Sequence, residues 1–182
     1  MSDTGSPAED RAWVTIDTSL TVAELQAFCR NRERLYRINP GLEFRAWQET
    51  SPGRIHAEWL NLSNGQTQAL DLSVVAESDS VFRVDYDRGI KAWTRFAIEP
   101  AAGGARLTIT DDYSRLPAGE RAERLDEVDR SLPAWGRGIH LYLRRQRRWG
   151  WLNERGIYPV GEPVEVAGVI GIKGTITPDV IK

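Results

Sequence analysis

The sequence predicts an α+β fold in which a curved antiparallel sheet of about seven strands wraps around one long C-terminal helix. Three observations carry this reading. From Leu42 to Tyr113 apolar residues recur with period two and are broken by short turn sequences, as strands require. Before that run lie one strand-like segment and two short helical ones; after it the period becomes helical to about Glu154.

The first strand is expected at Trp13 to Thr18, with Val14 and Ile16 on one face and Thr15 and Asp17 on the other. Thr21 with Glu24 three positions on reads as a capping box, and Leu20 can staple onto Leu25. The helix so started buries Leu25 and Phe28. A second short helical stretch carries Leu35, Tyr36 and Ile38 before Pro40-Gly41 stops it.

In the sheet region Leu42, Phe44 and Ala46 share a face, Ser51-Pro52-Gly53 turns the chain, and a strand runs from Ile55 to Leu62. Asn64-Gly65 is the strongest hairpin signal, because both residues tolerate positive φ. Leu70, Leu72 and Val74 then mark a strand, and Val81 to Tyr86 returns. A long strand is expected from Ile90, with Ile90, Ala92, Thr94, Phe96 and Ile98 on one face and Lys91, Trp93, Arg95 and Glu99 on the other. Gly103-Gly104 closes the last hairpin, and Leu107, Ile109, Asp111 and Tyr113 share one face of the final strand.

Pro133 either kinks the C-terminal helix or starts a second one. Beyond it Trp135, Ile139, Tyr142, Gln146 and Trp149 fall at alternating steps of four and three, one helical face widened by Leu132 and Leu143. A helix from Pro133 to Asn153 spans roughly 30 Å at ~1.5 Å per residue, enough to cross the whole sheet. Where a twisted sheet and a straight helix part company, a pocket opens. Residues 1–11 read as a disordered lead-in, 12–155 as the ligand-binding domain, and 156–182 as a tail that forms an extra strand or is mobile.

Net charge is −2, which argues against general attraction to nucleic acid. Cys29 is the single cysteine, so an intramolecular disulfide and a Cys-rich zinc site are excluded and a reducing, cytoplasmic setting is expected. The first eleven residues lack the basic and apolar pattern of a signal peptide, and no run approaches ~18 apolar residues. His56 and His140 are the only histidines; without an HExxH pair or an acidic calcium loop, no metal is expected. GxSxG, GxGxxG and Walker-type glycine patterns are absent as well, so no nucleotide or other cofactor is expected.

The order strand, helix pair, six-strand run, long helix resembles the START-like superfamily (Bet v 1-like, polyketide cyclase/dehydrase and lipid transport, also called SRPBCC), with its helix-grip fold. The resemblance covers roughly Ala12 to Asn153. Leu107-Thr108-Ile109-Thr110-Asp111-Asp112-Tyr113 feeding the helix, and Glu127-Val128-Asp129-Arg130-Ser131-Leu132 with Trp135-Gly136, look like a bacterial branch of it. The resemblance implies a cavity between sheet and helix for a lipid, polyketide or aromatic-type hydrophobic molecule, in a carrier or in a cyclase/dehydrase without cofactor.

The residues expected to line that cavity are Phe44, Trp59, Leu72, Thr94, Phe96, Ile109, Asp111, Tyr113, Trp135, Ile139 and Tyr142. If chemistry occurs, Asp111 and Tyr113 are the candidates for it. Asp111 and Asp112 point to opposite faces, so only one can serve the pocket. An inward Asp111 is a pocket acid or base; otherwise it meets solvent or pairs with a helix arginine. Arg144, Arg145, Arg147 and Arg148, beside Trp149 and Trp151, form either a solvated helix face or a contact with an anionic membrane surface or acidic partner.

Overall fold

The computed structural model describes residues 11–117, 120, 131–145, 163–166 and 169–172. After β1 (Arg11–Thr18) comes α1 (Val22–Arg30). The capping box forms: the Thr21 hydroxyl accepts from the Glu24 amide at 3.2 Å, and the Glu24 carboxylate accepts from the Thr21 amide at 2.7 Å. Two backbone donors that the first helical turn leaves free are thereby satisfied. The Asn31 side chain caps α2 (Arg32–Arg37) in the same way, accepting from the Arg34 amide at 2.9 Å.

Six strands follow: β2 (Leu42–Ser51), β3 (Arg54–Asn61), β4 (Gln66–Ser78), β5 (Val81–Tyr86), β6 (Trp93–Ala101) and β7 (Gly104–Asp112). They pair antiparallel in the order β1-β7-β6-β5-β4-β3-β2, so the first strand closes onto the last and β2 forms the opposite edge. The 131–145 segment is helical (α3) and contains Pro133. Leu132, Trp135, Ile139, Tyr142 and Leu143 are all buried, the predicted stripe. Residues 121–130 and 146–154, and with them Arg147, Arg148, Trp149 and Trp151, lie outside the described residues. Arg144 and Arg145 are exposed.

The concave face of the sheet holds α1, α2 and α3. Phe28 on α1 meets Tyr142 with ring centres 5.5 Å apart, and the Trp135 indole N–H donates to the Leu35 carbonyl at 2.8 Å. Phe96 stacks on Phe82 at 4.7 Å and meets Trp135 edge-on at 5.7 Å, which ties sheet to helix. Glycine permits the close approach: a methyl at position 138 would sit 2.9 Å from the Ile38 carbonyl oxygen, and one at 136 would sit 2.9 Å from Val14 Cγ2.

Two local expectations are corrected, in β2 and before β6. In β2 the register shifts between Phe44 and Ala46, so Trp47 rather than Ala46 turns inward, 5.4 Å from the Tyr36 ring. A bulge adds one residue and inverts the alternation beyond it. The hairpin expected at Asn64-Gly65 forms between β3 and β4 over residues 62–65, closed by the Gly65 amide on the Asn61 carbonyl at 2.8 Å with Gly65 at φ 69°. The long strand expected from Ile90 begins only at Trp93, and residues 87–91 loop out instead. In the tail, β8 (Pro163–Val166) and β9 (Val169–Ile172) pair with each other as a separate two-stranded ladder.

Candidate functional site

Between the sheet and the Ser131–Trp135 portion of α3 lies a cavity of about 830 Å³. Its mouth is built by the α2–β2 turn (Asn39, Pro40, Gly41), the β3–β4 loop (Asn61, Ser63, Asn64, with Gln66) and the β5–β6 loop (Arg88, Gly89, Ile90, Lys91). Leu42, Trp59, Leu70 and Trp135 give apolar walls, and Tyr36, Tyr86, Lys91 and Tyr113 make a polar end. The volume falls within the ~300–1,000 Å³ usual for small-molecule sites.

The polar end follows from the strand register. Thr94 and Asp111 are direct partners across β6 and β7, on the inner face with Phe96 and Ile109 one step along. Both are fully enclosed, at 0% exposure. The Thr94 hydroxyl donates to Asp111 Oδ1 at 2.5 Å, the Tyr113 hydroxyl donates to Oδ2 at 3.2 Å, and Lys91 Nζ lies 2.6 Å from Oδ2. Tyr86 Oη lies 2.8 Å from Thr94 Oγ1 and 2.7 Å from Tyr36 Oη.

A carboxylate only accepts, and this sets the direction of the chain. Thr94 spends its proton on Asp111, so it accepts from Tyr86; Tyr86 in turn accepts from Tyr36. The order of donation is Tyr36 to Tyr86 to Thr94 to Asp111. Burial pushes the Tyr36 and Tyr86 hydroxyls above the usual phenol range; the neighbouring Tyr86 adds to this at Tyr36, and Lys91 opposes it at Tyr86. Tyr113 is also raised, by burial against the opposing charge of Lys91, with Asp111 adding to the rise. Burial would depress the Lys91 ammonium, but Asp111 and then the tyrosines overcome it and hold the ammonium above the ordinary lysine value.

Lys91 reaches this place because it does not belong to a strand. The Tyr86 amide donates to the Ala92 carbonyl at 3.1 Å, so 87–91 leaves the sheet as a loop, turned at Gly89 with φ 90°. Arg115 clasps that loop from behind, its guanidinium donating to the carbonyls of Lys91 at 3.2 Å and Tyr86 at 2.5 Å. Period-two alternation sent Lys91 outward with Arg95; the loop returns it to the interior, where 25% of its side chain remains exposed.

Of the residues expected at the site, Trp59, Tyr113 and Trp135 line the cavity. Asp111 and Thr94 stand behind its polar end. Leu72, Phe96, Ile109, Ile139 and Tyr142 are packed in the core, and half-buried Phe44 braces Trp59 with ring centres 5.3 Å apart. Asp112 turns away from Asp111 and bonds to Arg11 at 3.3 Å and to Ser114. The helix arginine, one of the alternatives for Asp111, is not its partner among the described residues; Lys91 is. Sequence reasoning passed over Tyr36, Tyr86 and Lys91. Tyr86 carried a signal, a hydroxyl on the same alternating face as Phe82 and Val84; Lys91 carried none. Among the described residues no three His, Cys, Asp or Glu side chains gather in a way that could hold a metal ion.

A curved sheet gripping a helix, with an open-mouthed cavity between them, defines a class of ligand-cavity folds. Solved structures give that class its name: the chain has the START-like helix-grip fold. A START superfamily protein from Mycobacterium smegmatis superposes with a TM-score of 0.58 at 12% identity, covering 74% of this chain and 97% of that one. Protein NE0264 from Nitrosomonas europaea gives 0.60 at 10% identity, with 78% and 98% covered, and protein Ms6760 from Mycobacterium smegmatis gives 0.59 at 14%, with 78% and 95%. No protein-family model and no curated protein matches the sequence. At such identities the likeness is one of fold. No helix among the described residues is long and apolar enough to cross a membrane.

Proposed function

We propose that this protein binds and carries a hydrophobic small molecule of lipid, polyketide or aromatic type in the cavity between sheet and helix. The observation that carries this reading is the cavity itself, about 830 Å³ and walled by Leu42, Trp59, Leu70 and Trp135. Apolar walls gain roughly 25 cal/mol for each Å² that a guest removes from water, so a guest with a flat or chain-like apolar body is favoured. Native mass spectrometry of the purified protein, with solvent extraction of whatever it retains, tests the reading. A bare chain mass, joined to no thermal shift across a panel of sterols, fatty acids and polycyclic aromatics, counts against it.

A cyclase or dehydrase reading draws on one observation, that Tyr113 lines the cavity while bonded to Asp111. Carrier function is favoured because the Asp111 carboxylate already accepts from Thr94, Tyr113 and Lys91 and is fully enclosed. A carboxylate that is sealed off and already accepting on both oxygens is poorly placed to take a proton from a guest. Turnover of a polyketide-like ketone that is lost in Asp111→Asn, with folding retained, would reverse this preference.

A further inference from the structure

The polar end of the cavity carries information about the guest. Lys91 is a cavity-wall residue whose ammonium has three N–H donors, and among the described residues its one side-chain partner is Asp111. Water can serve the remaining donors while the cavity is empty of guest. A wholly apolar guest would strip that water and leave buried ammonium donors unmet, which is costly.

The tyrosines do not compete for the role of donor. Tyr113 gives its proton to Asp111, and Tyr36 and Tyr86 give theirs along the chain toward it. Lys91 is therefore the strong donor that this end presents. Charge then separates a neutral acceptor from an anionic one. Arg88 is matched by Asp87 at 2.6 Å and Lys91 by Asp111, whereas Arg115, which clasps the same loop through carbonyl oxygens, has no carboxylate partner among the described residues. Among the described residues around this loop, that leaves three cations to two carboxylates.

We infer that the guest is an amphipathic acid, an apolar body ending in a carboxylate or similar oxyanion that bonds to Lys91, with Asp111 holding the ammonium in place. This rests on the cavity-binding reading and names the chemical class of its ligand. Lys91 bridges two carboxylates, one from the protein and one from the guest, and Asp111 is a positioning residue that weakens the pull on the guest while fixing where it lands.

The test compares 1-pyrenebutyrate with 1-pyrenebutanol, which share a polycyclic body and differ in the charged end. Binding is read by energy transfer from tryptophan to pyrene. The unmodified protein should prefer the acid by about tenfold, the discrimination expected of one charge-assisted hydrogen bond. Asp111→Asn should widen the preference, because the ammonium loses its internal counter-charge. Lys91→Met combined with Asp111→Asn removes both charges together, which buried ion pairs tolerate far better than loss of one; it should bring acid and alcohol to the same affinity. Equal affinity for acid and alcohol in the unmodified protein overturns the inference and leaves the cavity reading standing. A preference that survives in the double variant also overturns it, since surface cations then account for the acid. Failure of both probes to bind counts against the inference and the cavity reading alike.

Discussion

Lys91 Nζ lies 2.6 Å from Asp111 Oδ2, and the two residues differ sharply in what surrounds them: the carboxylate is sealed from solvent, and a quarter of the lysine side chain is not. The pair is therefore asymmetric. An unpaired Asp111 has nowhere to find water, whereas an unpaired Lys91 can turn toward the cavity mouth.

This asymmetry orders three variants by stability. Lys91→Met strands a buried carboxylate and should cost about 3–5 kcal/mol. Asp111→Asn leaves a lysine that can be hydrated and an amide whose oxygen still accepts from Thr94, and should cost less. Lys91→Met with Asp111→Asn should be more stable than Lys91→Met alone. Urea denaturation of the three measures the order; a double variant less stable than Lys91→Met would contradict the account.

Alkaline pH should unfold the protein through the same cluster. Lys91, Tyr36, Tyr86 and Tyr113 all have folded-state values above their ordinary ones, so the folded state holds protons that the unfolded state releases. Their contribution is fully present below the unfolded values, at about pH 10, and is lost as pH rises through the folded ones. Tyrosinate absorbance near 295 nm should therefore grow together with loss of the circular-dichroism signal. Three tyrosines titrating at their ordinary value in a chain still folded would refute this.

Much of the architecture was legible because each element announces itself locally. Thr21 and Glu24 cap a helix from four residues of sequence, and the Trp135, Ile139, Tyr142 stripe needs only the helical period. The candidate site was legible in part. Thr94, Asp111 and Tyr113 show as polar groups on an otherwise apolar face, a pattern that alternation alone reveals. Lys91 does not, because its inward turn depends on where β6 starts. That start is set by nonlocal bonds, the Ala92 amide on the Asp112 carbonyl at 2.9 Å and Arg115 behind the loop. Trp47 escaped for a related reason, since a bulge depends on the partner strand.

His56, on β3, should titrate above the ordinary histidine value. Its Nδ1 lies 2.8 Å from Asp71 and its Nε2 3.4 Å from Glu58, and these two bonds, Asp71 first, favour the imidazolium. A raised value means that the stabilisation is complete below about pH 6.5 and fades as pH climbs through the folded value. Proton NMR of the His56 ring gives the midpoint directly, and Asp71→Asn should move it down. A midpoint at or below the ordinary value in the unmodified protein would show that neither carboxylate holds the ring.

Buried Cys29 should resist thiol reagents until the protein unfolds. It is 1% exposed on α1, and burial, opposed by the nearby Arg32 and Arg34 charges, pushes its thiol up to about 12. Little thiolate exists near neutrality, and the reagent cannot reach what there is. Colour development with a disulfide reagent should be slow in buffer and fast in denaturant. A fast native reaction would mean that α1 opens readily from the sheet.

Three glycines should respond differently to alanine, according to what the added methyl would strike. At Gly104 it would overlap the backbone of the β1–α1 turn, at the Thr18 carbonyl, with Ser19 Cα at 2.8 Å and the Leu20 carbonyl oxygen at 2.9 Å. Backbone cannot rotate aside, so Gly104→Ala should cost about 1–3 kcal/mol or more. At Gly138 the obstacles are the Ile38 carbonyl oxygen at 2.9 Å and the same residue's Cγ2 at 3.2 Å. At Gly136 the obstacle is side chain alone, Val14 Cγ2 at 2.9 Å and Cγ1 at 3.2 Å, and a β-branched valine has few rotamers with which to yield. Alanine regains up to ~1 kcal/mol of helix propensity at both helical positions. Gly136→Ala, which meets only side-chain atoms, should therefore be the mildest of the three, Gly138→Ala more destabilising and Gly104→Ala the most damaging. Denaturation midpoints read the series, and a Gly104→Ala protein as stable as the parent would mean that the turn after β1 is not held against β7 as the structure has it.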